Sequence, residues 1–66
     1  MAPEQLLESA LSHVESASIR AWATSEHNKP IMLKLASGAI ERAGVAGAEP
    51  NVHTFAAFIV ASAIGL

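Results

Sequence analysis

The chain contains no cysteine, no tyrosine and no aspartate. The first absence removes disulfides and thiolate metal sites and leaves the redox compartment unmarked. Charge is scarce as well. Charged side chains make up 15% of the sequence, against about a quarter in an average soluble protein. The basic residues Arg20, Lys29, Lys34 and Arg42 are scattered through the middle of the chain, whereas nucleic-acid binding calls for basic charge gathered on one face. Residues 1 to 22 carry Glu4, Glu8 and Glu15 in place of a basic segment and an apolar core, so no secretory signal peptide is expected. Gly38, Gly44 and Gly47 show neither dinucleotide-binding nor Walker spacing, which argues against a phosphate loop. There is no strand-like alternation and no internal repeat.

What remains is a short, apolar, helix-forming sequence. Sixty-six residues make a single domain at most, 1–66, and a chain of this size buries only about 60% of its unfolded surface. Such domains usually draw extra stability from disulfides, a metal or partners. Apolar residues account for 52% of the sequence, and its fourteen alanines raise helix propensity almost everywhere.

The stretch Asn51 to Leu66, NVHTFAAFIVASAIGL, has no charged side chain. A helix that is apolar all round must be surrounded by its own chain, by other copies or by lipid. Asn51 and Thr54 are both good residues to begin it. The uncharged run from Pro50 to Leu66 would extend about 25 Å as a helix, short of the roughly 30 Å of a bilayer core. Shallow insertion remains compatible with that length.

Two further helices precede it. Pro3 and Glu4 suit a first turn. Leu7, Leu11, Val14, Ser18 and Ala21 then recur on one stripe, widened by Leu6, Ala10, Ala17 and Trp22, which predicts one helix over about 3–24. Ile19 projects from its polar side, either as a lone surface residue or as a contact with a second copy. Trp22 is an expected core or interface anchor, or alternatively a membrane-interface one. TSEHNK, Thr24 to Lys29, is a break, with Ser25 or Asn28 placed to cap the next helix. That second helix is predicted over about 30–43, with Met32, Leu33, Leu35, Ala36, Ala39, Ile40 and Ala43 on its apolar face. Gly44 fits its end, and Gly47 and Pro50 separate it from the last helix. The expectation is therefore an all-α fold of three short helices, about 3–24, 30–43 and 52–65. The last is uniformly apolar, packed between the other two or against partner chains.

Glu41-Arg42-Ala43-Gly44-Val45 resembles the helix-to-turn junction of helix-turn-helix DNA-binding domains, in which the Gly makes the turn. The resemblance covers five residues. It implies a recognition helix from Thr54 to Leu66, and that segment offers no Arg, Lys, Gln or Asn to meet bases or phosphates. A Gly-terminated helix is the better reading, and nucleic acid is not an expected partner.

Candidates for chemistry are few. His13, His27 and His53 fall in the first helix, the first break and the start of the last helix, and no two are spaced four apart. The expected places are the edge of the first stripe, a solvated loop and a first helical turn, with no metal or cofactor site. Serines are present, but there is no Gly-x-Ser-x-Gly elbow and no aspartate, and three helices leave little room for a substrate pocket. No enzyme activity, catalytic residue or small-molecule substrate is expected. Ala57, Ala61 and Gly65 lie four residues apart, as do Ala39 and Ala43, a spacing that lets helix backbones approach closely. Together with Ile19, Trp22 and Phe58 they are the candidate interface. The expected function is a structural or assembly protein that self-associates as a homo-oligomer, or fills a slot in a filament, virion or multi-subunit complex, and is cytoplasmic or incorporated in that assembly. A membrane-associated role is the alternative, and a DNA-binding regulator a more remote one.

Overall fold

Among the described residues four helices form where three are expected. The computed structural model describes residues 1–65, and its helices are α1 (Pro3–Leu11), α2 (Ala17–Thr24), α3 (Lys29–Val45) and α4 (Val52–Ala63). No strand occurs among the described residues. Leu66, which ends the apolar run, lies outside them.

The helix expected over 3–24 is two because serine side chains compete for its backbone. Past Leu11 the Ser12 hydroxyl donates to the Ser9 carbonyl at 2.6 Å, and the His13 and Val14 amides turn back to the carbonyls of Ala10 and Leu11. Ser16 then takes an extended conformation, and its hydroxyl accepts from the Ile19 amide at 3.2 Å as the N-cap of α2. Such local bonds offer the chain an alternative to helix, with no glycine or proline needed to mark the place. Val14 fills the inside of the bend and is buried. Its carbonyl accepts from the Arg20 guanidinium.

The bend changes which residues face inward. On a continuous helix Ser18 and Ala21 would share the stripe of Leu7 and Leu11, with Ile19 outside. Instead Ser18 and Ala21 are exposed, Ala23 is buried, and Ile19 and Trp22 pack partly buried against the core. Ile19, Trp22 and Ala23 are spaced i, i+3, i+4, the face of a helix whose phase restarts at Ser16.

At the next connection Ser25 and Asn28 divide the capping differently from expectation. The Asn28 side chain donates to the Trp22 carbonyl at 3.0 Å, closing the end of α2, while the Ser25 hydroxyl accepts from the Asn28 amide. Among the described residues no side chain caps α3, which begins at Lys29 with Pro30 in its first turn. An ion pair, Lys29 to Glu4 at 3.7 Å, spans α1 and α3 with both side chains well exposed, an arrangement worth about 0–1 kcal/mol.

α3 runs through Gly44 to Val45, two residues past the expected end at 43. Gly47 is the terminator. Its φ of 72° is the left-handed conformation glycine adopts freely. The Gly47 amide bonds the Gly44 carbonyl at 3.0 Å and the Ala48 amide the Ala43 carbonyl at 2.8 Å, the paired bonds of a Schellman motif. The likeness to a helix-turn-helix junction at Gly44 therefore fails in the backbone: Gly44 is helical and makes no turn. α4 begins as expected, with the Asn51 side chain accepting from the Thr54 amide at 2.9 Å. It ends at Ala63, leaving Gly65 in the following turn with φ 82°.

The buried set is Leu6, Leu7, Ala10, Leu11, Val14, Ala23, Met32, Ala36, Phe55, Ala56 and Ile59. Each helix contributes one buried alanine, Ala10, Ala23, Ala36 and Ala56, so backbones come close where the helices meet. α4 packs chiefly on α1 and α2 and touches α3 less. The expected seat between the first two helices is thus unevenly filled, and one side of α4 stays open. This gives a direct test. Ile59 is fully buried and Ile64 is 61% exposed. Ile59→Ala is expected to lower the unfolding free energy by about 2–4 kcal/mol and Ile64→Ala by less than about 0.5 kcal/mol, as measured by urea denaturation followed by circular dichroism.

Candidate functional site

The open side of α4 faces a groove. Its floor and walls come from Leu35, Ala39 and Ala43 on α3 and from Phe55 and Phe58 on α4, and it encloses about 300 Å³. Pro50 and Asn51 close one end, and Arg42 and Glu49 stand at its margin. The cap bond of Asn51 to Thr54 sets where α4 starts, and the Gly47 turn sets where α3 stops, so these two local motifs fix the spacing of the walls. Phe55 is buried at the bottom, whereas Phe58 is 46% exposed above it. Their rings lie 6.2 Å apart and nearly parallel, within the range of favourable aromatic pairs.

The candidate interface residues separate into three groups. Ala39, Ala43 and Phe58 come together in this groove. Ile19 and Trp22 pack against the chain's own core. Ala57 is exposed and Ala61 partly buried on α4, while Gly65 lies beyond the helix end, so the small-residue row has two helical members rather than three.

Arg42 supplies the cationic group at the groove margin. Among the described residues it has no ion-pair partner. A Cβ built on Gly38 would meet its Nη1 at 3.2 Å, so the guanidinium lies back over the α3 surface, on the turn before its own.

The histidines are arranged in a way their spacing does not reveal. His13, in the bend between α1 and α2, and His53, in the first turn of α4, bring their rings to a centroid separation of 4.3 Å with a 44° tilt. Both are exposed. The expectation of three separate histidines is corrected for this pair. No group of three or more metal-ligating side chains is found among the described residues.

Comparison with protein-family models, curated proteins and solved structures finds no match. No described helix is long and apolar enough to cross a membrane.

Gly38 offers a check on the groove wall. The atom a new methyl would meet is the far end of a flexible side chain. Glycine inside a helix costs roughly 0.5–1 kcal/mol relative to alanine. Gly38→Ala is therefore expected to stabilise the protein by about 0.5 kcal/mol or more in thermal unfolding, with the Arg42 guanidinium displaced outward.

Proposed function

We propose that this protein is a non-enzymatic helical assembly unit that associates with a second copy of itself through the open side of α4 and the groove it shares with α3. The observation that carries the reading is Phe58. It is a large aromatic side chain, half exposed on an uncharged helix, at the mouth of an apolar groove. Half-exposed aromatics beside a preformed hollow are the usual anchors of protein interfaces.

Three further features support the choice of occupant. Among the described residues the eleven that are buried include four alanines, a small core for a chain with no crosslink, and association adds the burial such a domain lacks. The groove margin carries one charge of each sign, Arg42 and Glu49. Such a margin is self-complementary about a two-fold axis, where Arg42 of one copy meets Glu49 of the other. Finally, the chain has only four lysines and arginines and a net charge of -2, little basic charge to meet anionic lipid, which favours a protein partner over a membrane. Incorporation into a larger filament or complex would use the same surface.

Light scattering on a sizing column tests this directly. The expected result is a discrete oligomer in buffer without detergent that Phe58→Glu converts to monomer while the helical signal is kept. Arg42→Glu and Glu49→Arg are each expected to weaken association several-fold, and the double variant to restore most of it. A wild-type monomer at high protein concentration overturns the reading. Flotation of the wild-type chain with liposomes, in place of oligomer formation, would move the function to membrane association.

A further inference from the structure

The His13–His53 pair lies outside the groove and rests on different observations. Forty residues separate the two in sequence, yet their rings are 4.3 Å apart. Each backbone position is anchored independently. His13 sits between the buried Leu11 and Val14, and its amide bonds the Ala10 carbonyl at 3.0 Å. His53 is the second residue of α4, next to partly buried Val52, in a turn held by the Asn51 cap. Among the described residues no hydrogen bond engages either imidazole, so the ring nitrogens are uncommitted.

We infer that His13 and His53 form a two-histidine site for a borderline divalent transition-metal ion such as zinc, clipping the α1–α2 bend to the first turn of α4. The separation of the two rings is near what chelation needs. With metal–nitrogen bonds of about 2.0–2.1 Å and the tetrahedral angle of about 109° that zinc prefers, two bound imidazoles hold their centroids about 5 Å apart. The rings must open by a little under about 1 Å and turn to bring one nitrogen of each onto the ion, about torsions that are broad for histidine. Both side chains are exposed, so an ion has direct access, and water completes its coordination. An all-imidazole donor set suits zinc, copper or nickel and not calcium or magnesium, which take oxygen ligands. The clip would close a loop of about forty residues. In a chain without cysteine it would do what a disulfide does elsewhere, since crosslinks that close long loops remove the most disorder from the unfolded chain.

Zinc titration followed by thermal unfolding tests the site. At zinc about tenfold above its dissociation constant, the wild-type Tm is expected to rise by about 6–11 °C, with no change in mass on a sizing column. His13→Ala and His53→Ala are each expected to erase that rise while leaving the metal-free helical signal intact, and His27→Ala to retain it. In the wild-type chain, zinc should shift the imidazole proton resonances of His13 and His53 together, a readout that needs no variant to fold. The inference is overturned by the absence of any Tm rise at zinc in large excess, by a rise that survives in either the His13 or the His53 variant, by resonance shifts in only one of the two rings, or by stabilisation that appears only with an increase in mass.

Discussion

The bend at Ser12 to Ser16, with Val14 buried inside it, is the constraint on which the other packing depends. It stops α1 after two and a half turns and lets α2 restart with Ile19, Trp22 and Ala23 facing inward. Without it the first helix would present Ser18 and Ala21 to the core and leave Ile19 in solvent. With it, α1 and α2 approach α4 from two directions, and α1 also packs along α3. The bend is held by short-range bonds, from Ser12 to Ser9, from Ile19 to Ser16 and from Arg20 to the Val14 carbonyl. Each competes with helix continuation on nearly equal terms. A straight helix would bury Val14 as well but would leave Ile19 in solvent, so the inward packing of Ile19 and Ala23 decides the balance.

A second consequence is geometric. Three short elements cannot cover the full circumference of an uncharged helix. α4 buries Phe55, Ala56 and Ile59 and leaves Ala57 and Phe58 outward, with Ile64 exposed just past its end. The lack of charged residues on that outer side is not needed for the monomer's own packing, since an ordinary amphipathic helix would bury the same stripe. The surplus is what favours an interaction surface over a stability device. Burying the four alanines brings backbones close but contributes little apolar area, so little reserve remains to compensate for exposing Phe58 to water.

Much of this architecture is legible in the residues. The all-helical class follows from composition and 3.6-residue periodicity, the start of α4 from Asn51, and the separation of α3 and α4 from Gly47 and Pro50. The break at residues 12–16 is not legible, because periodicity alone runs through it and neither glycine nor proline marks it. Ser12 and Ser16, four apart, are the available signal, but serines are equally at home on an exposed helical face. The inward turn of Ile19 is hidden for the same reason, since its orientation depends on where the helix phase restarts. The end of α3 is misplaced in the sequence because two glycines compete, and only the backbone distinguishes the helical Gly44 from the left-handed Gly47. In the candidate site, Ala39, Ala43 and Phe58 are legible singly. Their meeting in one groove, and that of His13 with His53, requires the fold.

The first turns of α4 serve both surfaces. Asn51 closes the groove and also caps the turn that carries His53, while Thr54, Phe55 and Phe58 line the groove on the neighbouring side. A metal held by His13 and His53 and a second copy seated against Phe58 would therefore both depend on where this turn is placed relative to α1 and α3. Two ligands that favour the same placement reinforce each other, and the reinforcement is reciprocal. Its size is limited by how far the turn moves in the free chain. A capped turn beside the buried Phe55 has little freedom left, so each contact meets a wall that is largely formed, and the two contribute nearly independently to holding α4 in place.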